Sequence, residues 1–255
     1  MKAVAVIPAR MESSRFPGKP LADIHGVAMV GHCYLRTAMC DELLETYVAT
    51  CNEEILEYVH SIGGKAIMTS SSHERASDRA AEALVKIEKD LGYKVDVVVM
   101  VQGDEPMVTP GMISLALEPF RTNSEVNIVN LMSEMESVDE FEDPNEVKVV
   151  VDKNSDAIYF SREPIPSRRK GVESVKMLKQ VCVIPFKRDF LIKFNEMEET
   201  VLERIESIDM LRVIENGGKV RMVYSSDKSF SVDNQVDLNK VIYEMENDKI
   251  RLTYS

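Results

Sequence analysis

Two short stretches of this chain hold residue types suited to phosphate chemistry. The first spans 7–21 and reads Ile7-Pro8-Ala9-Arg10-Met11-Glu12-Ser13-Ser14-Arg15-Phe16-Pro17-Gly18-Lys19-Pro20-Leu21. Arg10, Arg15 and Lys19 supply positive charge, while Ser13, Ser14 and the loop N–H groups supply directional donors, a combination that suits an anion. Pro8, Pro17, Gly18 and Pro20 restrain the loop backbone. A solvated basic loop is the plainer reading. Against it stands the net charge of −12, in which such a cluster is unexpected. The stretch is not a Walker loop, because Pro20 follows Gly18-Lys19 and no glycine lies five residues before Gly18.

The second stretch, 101–106, is Val101-Gln102-Gly103-Asp104-Glu105-Pro106. Gly-Asp and Glu-Pro are ordinary turn pairs. A carboxylate at the end of a central strand also suits Mg²⁺, which takes a few carboxylates plus phosphate oxygens. Beside a phosphate-binding loop, the metal reading of Asp104 prevails. Asp233, in Ser231-Val232-Asp233-Asn234, reads from spacing as a helix N-cap, with a second metal ligand as the alternative. Residues 70–79, SSSHERASDR, are either a surface charge network or a nucleobase pocket. Arg162 ends a strand-like run ahead of two prolines, where a guanidinium can grip a carboxylate in two places. The Arg168-Arg169-Lys170 run reads as a solvated loop or a cover for an anionic substrate.

Elements that position these residues alternate through the first half. Strands are predicted at 4–7, 46–49, 65–68 and 95–101, and helices at 28–38, 53–61 with Asn52 as cap, and 76–91 closed by Gly92. The nearly all-apolar, β-branched run at 95–101 fits a central parallel strand covered on both faces. The alternation predicts an α/β fold with a doubly wound or three-layer sheet. In that architecture, ligands bind beyond the carboxyl ends of the strands. In the second half, strands are predicted at 147–151, 157–160, 177–184 and 219–224. Helices are predicted at 188–194, 200–215 and 234–248. This half reads as an extension of the same sheet plus a smaller lobe that covers a cleft.

The length of 255 residues suits one large domain. The acidic balance argues against nucleic acid or an anionic membrane as partner. The apolar runs are too short for a membrane span, and the N-terminal run is no signal peptide. Cys33, Cys40, Cys51 and Cys182 have no metal-ligand spacing and suit reduced thiols of a cytoplasmic protein.

Together the motifs resemble the 3-deoxy-manno-octulosonate cytidylyltransferases, or CMP-KDO synthetases, among the sugar-acid cytidylyltransferases. The resemblance runs the full length. It rests on IPAR-x3-SR-x-PGKPL at 7–21, MTS-x2-H at 68–73, DR at 78–79, VQGDEP at 101–106, PN-x-VKVV at 144–150, YFSR-x-PIP at 159–166, LE-x-IE at 202–206 and VD at 232–233. It implies a three-layer, mostly parallel, Rossmann-like nucleotidyltransferase sheet in a single domain, 1–255. Residues of about 150–215 would form a smaller acceptor and dimerisation lobe. It also implies a cytoplasmic homodimer of lipopolysaccharide biosynthesis that joins CTP to a small acidic acceptor, using Mg²⁺. By position, the resemblance assigns Arg10, Lys19 and Asp104 to catalysis. Arg10, Ser13, Ser14, Arg15, Lys19, Ser77, Arg79 and Gln102 fall to the nucleotide, and Asp104 and Asp233 to the metal. Arg162, Gln180, Ile184, Glu206 and Met210 fall on the acceptor side.

The departures concentrate on that acceptor side. Where the family usually reads Ser-Gly-Thr before Asp-Arg, this chain has Arg75-Ala76-Ser77. A histidine, a tyrosine and a glutamine associated with the sugar pocket are replaced by Gln180, Ile184 and Met210. The expectation is a modified or smaller acid: a deoxy sugar acid, an amino sugar acid or a phosphonate-like acid. Alternatives are a nucleotidyltransferase of other specificity and a catalytically silent nucleotide-binding regulator. A glycosyltransferase fits less well, because Gly103-Asp104-Glu105 stands where an Asp-x-Asp would be.

Overall fold

The first apolar run forms β1 (Ala3–Ala9), buried along its whole length. There follow a small hairpin of β2 (Asp23–Ile24) and β3 (Val27–Ala28), then α1 (Met29–Ala38), β4 (Glu45–Thr50), α2 (Glu53–Ser61), β5 (Ala66–Met68), α3 (Ala76–Leu91) and β6 (Val97–Val101). The structure, a computed structural model, describes residues 1–12, 16–167 and 176–254. β1 lies between β4 and β6 and runs parallel to both, and β5 runs parallel to β4 at the sheet edge. Successive residues of β1 serve opposite faces, as a strand requires. Val4 and Val6 pack with Ala80, Leu84 and Ile87 of α3, while Ala5 and Ile7 pack with Val30 and Cys33 of α1. This is the expected three-layer arrangement, with helices on both faces.

The second half continues with α4 (Pro110–Thr122), β7 (Val129–Glu134), α5 (Val138–Glu142), β8 (Lys148–Val151), β9 (Ala157–Ser161), β10 (Leu178–Val181) and β11 (Val183–Lys187). Helices α6 (Arg188–Glu196), α7 (Val201–Glu206) and α8 (Met210–Glu215) lead to β12 (Arg221–Tyr224) and α9 (Gln235–Met245). This half corrects the expectation of one extended sheet. Only β11 joins the first sheet, antiparallel to β6. The other strands build a second five-stranded sheet in the order β12-β7-β10-β8-β9, antiparallel except for β12 beside β7.

The strand expected over 177–184 is therefore two. It breaks at Cys182, where the chain passes from the second sheet to the first. There the Cys182 carbonyl accepts from Gln102 N at 3.0 Å, and its N–H donates to the Glu105 carboxylate at 3.2 Å. The helix expected over 200–215 is also two. Ser207 adopts a left-handed conformation, φ 54°, between α7 and α8. That bend lets Arg212 fold back on Glu203 in a buried two-point ion pair of 2.6 and 2.8 Å.

Candidate active site

The site forms where the carboxyl ends of β1 and β6 come side by side. Gly103 makes the approach possible: a Cβ there would lie 2.8 Å from the Pro8 carbonyl oxygen, a backbone atom with little freedom to move. Just beyond it, Asp104 Oδ2 accepts a 2.8 Å hydrogen bond from Lys19 Nζ. Lys19 follows Gly18, whose φ of 75° suits glycine, and opens a short 3-10 turn. The same ammonium donates to the Val232 carbonyl at 2.9 Å and lies 3.5 Å from Asp233 Oδ1.

Val232 N in turn donates to the Asp104 carbonyl at 2.9 Å. Val232 is buried with Phe230, Met107, Leu238 and Val241, and this apolar cluster ties the Asp233 segment and α9 to Ile24 of the hairpin, Met29 of α1 and the loop after β6. Three segments remote in sequence thus meet at one ammonium. The N-cap of α9 is Asn234, which accepts from Val236 N and Asp237 N, so the cap reading of Asp233 is set aside. Asn52 departs from expectation too. It sits at the start of α2, but its carboxamide oxygen accepts from Met11 N at 3.0 Å and pins the basic loop instead of capping the helix.

Two cavities open from this point. One, of about 300 Å³, is lined by Arg10, Lys19, Gln102 and Asp104 on the sheet side and by His73, Arg75 and Arg79 on the other. Arg79 lines it with a guanidinium already committed to Thr69 Oγ1 at 2.6 Å and to the Ser70 and His73 carbonyls, so it holds the 69–73 loop in shape. Ser77 is not on the cavity wall; its hydroxyl donates to Asp209 Oδ2 at 3.1 Å. Ser13, Ser14, Arg15, Arg168, Arg169 and Lys170 lie outside the described residues.

The second cavity, of about 200 Å³, shares Gln102 and Asp104 with the first and adds Asp233, Arg162, Gln180, Ile184 and Met210. Arg162 is anchored through Nε to the Glu206 carbonyl at 2.7 Å and through Nη1 to the Pro144 carbonyl at 3.0 Å. The buried Lys148 ammonium donates to the carbonyls of Asp143, Glu146 and Arg162, and burial holds its pKa below the ordinary lysine value. Glu206, expected on the acceptor side, does not line the cavity. Its carboxylate accepts from Tyr159, Ser161 and the Arg162 N–H, which makes it a brace behind the wall.

Sequence reasoning missed three participants. Arg75 donates to Asp209 Oδ1 at 3.1 Å and to Glu199, linking the walls of the two cavities. The clue was present: the departures at Arg75 and beside Met210 are two ends of one contact. Burial raises the Asp209 pKa, and Arg75 and Ser77 oppose that shift. Glu105, almost fully buried, accepts from Ser229 Oγ at 2.6 Å as well as from Cys182 N. Burial pushes its carboxyl up to about 7, against the hydrogen bond from Ser229.

Asp104 and Asp233 offer hard oxygen donors, and Asp104 Oδ1 is buried without a hydrogen-bond partner among the described residues. Among those residues no cluster of three or more His, Cys, Asp or Glu side chains gathers to hold a metal. Two carboxylates with an unpaired oxygen fit Mg²⁺, which completes its shell with phosphate oxygens and water. Neither a zinc-type nor a calcium-type cage is built among the described residues.

A mostly parallel sheet whose strand ends carry a cavity with four basic side chains, an acid pair and an adjoining second cavity fits a nucleotidyltransferase. Comparison with known proteins narrows the class. A family profile described as Cytidylyltransferase matches residues 4–229. A 3-deoxy-manno-octulosonate cytidylyltransferase of Geobacter metallireducens is 41% identical over 255 residues, covering 96% of this chain and 98% of that protein. A CMP:2-keto-3-deoxy-manno-octonic acid synthetase solved in complex with CTP superposes with TM-score 0.87 at 37% identity, over 96% of this chain and 98% of the other. A glucose-1-phosphate thymidylyltransferase from Bacillus anthracis shares the fold at TM-score 0.67 and 14% identity, over 97% and 96% of the two chains. The chain belongs to the cytidylyltransferase family, with the 3-deoxy-manno-octulosonate cytidylyltransferases as its near relatives.

Proposed function

We propose that this enzyme transfers the cytidylyl group of CTP to a 3-deoxy-octulosonic acid and releases pyrophosphate. The carrying observation is the junction of the two cavities at Gln102 and Asp104, beside the Lys19 ammonium. A triphosphate in the first cavity places its α-phosphorus at that junction, facing an acceptor in the second. CTP and the acid are the ligands named for the near relatives.

The anomeric hydroxyl oxygen of the acid attacks the α-phosphorus in line. A new P–O bond forms, the bond between the α-phosphorus and the bridging oxygen of the β-phosphate breaks, and the hydroxyl proton passes to water. Arg10 and Lys19 offset the charge that develops on the departing pyrophosphate. Asp104 and Asp233 would hold Mg²⁺, which when bound polarises the phosphate oxygens. Gln102, whose carboxamide makes no hydrogen bond among the described residues, is open to base or sugar. Arg162 has one amine, Nη2, without a protein acceptor among the described residues, and offers it to the acid's carboxylate.

The reading extends to a single-domain enzyme whose 150–215 region pairs two copies. Exposed Ile158, Val201 and Ile205 support self-association there. It extends also to cytoplasmic work in lipopolysaccharide synthesis. The four free cysteines support a reducing compartment, and among the described residues no helix is long and apolar enough to cross a membrane.

The test is pyrophosphate release with CTP, UTP, GTP or ATP, each with and without 3-deoxy-manno-octulosonate and Mg²⁺. Release should need CTP, acid and metal together. Release without acid, or equally with another nucleotide, contradicts the reading.

A further inference from the structure

The floor of the second cavity is apolar and continuous with the main core. Met100, Ile184, Ile208 and Met210 line the cavity and belong to the same buried cluster, against which Val147 also packs. The rest of the lining is largely polar, with Gln102, Asn145, Arg162, Gln180, Asp209 and Ser231 among it, and part of it is already committed. Both oxygens of Asp209 accept from Arg75 and Ser77, and the Gln180 amine donates to Asn130 behind the wall. A substrate hydroxyl aimed at the floor would lose its water and find no partner there.

These commitments also choose among the acids the sequence left open. An amino sugar acid needs an available carboxylate for its ammonium. Here Asp209 is paired with Arg75, Asp233 with Lys19, and Glu206 is held by three donors outside the cavity; Asp104 gives one oxygen to Lys19, and its Oδ1, unpaired among the described residues, is the one the metal reading claims. A phosphonate dianion needs several donors. Among the described residues Arg162 is the cationic side chain on this wall, and it offers one amine.

We propose that the acceptor turns a deoxygenated edge onto the Met100–Ile184–Met210 floor, so that the preferred acid is an octulosonate lacking one hydroxyl more than 3-deoxy-manno-octulosonate. The inference rests on the cytidylyl-transfer reading and specifies its acceptor. An apolar pocket rejects an added hydroxyl only moderately, so a preference of about tenfold to a hundredfold is expected.

The experiment measures kcat/KM with CTP for 3-deoxy-manno-octulosonate and for analogues that each lack one further hydroxyl. One analogue should exceed the parent acid by about tenfold or more. Met210→Gln, close to isosteric, should narrow that ratio by about tenfold, and Ile184→Thr should narrow it in the same direction. Melting curves confirm that each variant is folded. A parent acid that equals or exceeds every analogue overturns the inference while leaving cytidylyl transfer intact. A ratio unmoved in both variants overturns the role of the floor. If no acid gives product with CTP, the functional reading itself fails, and this inference with it.

Discussion

Lys19 Nζ lies 2.8 Å from Asp104 Oδ2 and 3.5 Å from Asp233 Oδ1, so one ammonium bridges two carboxylates from segments more than a hundred residues apart. The three side chains are largely shielded, between 14% and 19% exposed, so water screens their interaction only in part. Lys19 thus keeps the acid pair together and also places a cation beside the first cavity. Replacing Lys19 with Ala should raise KM for CTP by about tenfold or more, because the triphosphate loses a charge-assisted donor. Steady-state kinetics with CTP varied checks this; an unchanged KM argues against the cationic cradle.

Asp104→Asn keeps the size of the side chain and removes its charge. The backbone stays pinned through Val232 N, so the melting temperature should hardly move. The turnover number should fall by about a hundredfold or more, the scale of losing a group that organises transition-state charge. Mn²⁺ binding, followed by electron paramagnetic resonance in the presence of CTP, should weaken in parallel. Full turnover in this variant would remove Asp104 from the centre.

The two-point pair between Glu203 and Arg212 mounts the helices that carry Asp209 and Met210. Glu203 is fully buried and Arg212 nearly so. Glu203→Ala strands a buried guanidinium and should destabilise the fold by about 3–5 kcal/mol. Urea unfolding measures that loss. At temperatures where the variant stays folded, KM for the acid should rise more than KM for CTP, since Met210 and Asp209 line the acceptor cavity.

His32 gives a pH dependence separate from the site. It is fully buried; its Nε2 donates to the Ile24 carbonyl at 2.7 Å and its Nδ1 accepts from the Tyr254 hydroxyl at 2.7 Å. Burial lowers its pKa from 6.5 to about 4. The unfolded chain therefore binds the proton more readily, and stability falls as pH drops from about 6.5 towards 4, then levels below that. The contribution is roughly 3 kcal/mol. Denaturant unfolding of wild type and His32→Gln across that range should show the extra acid loss in wild type only.

The nucleotide half was legible because each element there is local and strongly patterned. The β1 and β6 runs are continuous apolar strands, α3 closes at Gly92, and the basic loop and Gly103-Asp104 fall at strand ends. The second half was harder to read because its structure is decided by non-local contacts. Nothing in residues 177–184 marks Cys182 as the point where the chain changes sheets; that depends on Gln102 and Glu105, about 80 residues away. The bend at Ser207 likewise depends on Arg212 reaching Glu203, and a non-glycine left-handed residue leaves little trace in sequence. Glu206 was placed in the acceptor pocket by its motif, but motif position does not say which way a carboxylate points. Arg75 is legible in sequence as a departure and as part of the 70–79 charge network or nucleobase pocket, but its pairing with Asp209, more than a hundred residues away, is not.

The central claim is CTP-dependent cytidylyl transfer at the Lys19–Asp104–Asp233 centre. Phosphorus NMR of CTP, Mg²⁺ and 3-deoxy-manno-octulosonate with the enzyme tests it most directly. The account predicts a new phosphodiester signal growing in step with pyrophosphate for wild type, and both signals appearing about a hundredfold more slowly, or not at all, for Asp104→Asn. Equal rates of product formation by both proteins would contradict it.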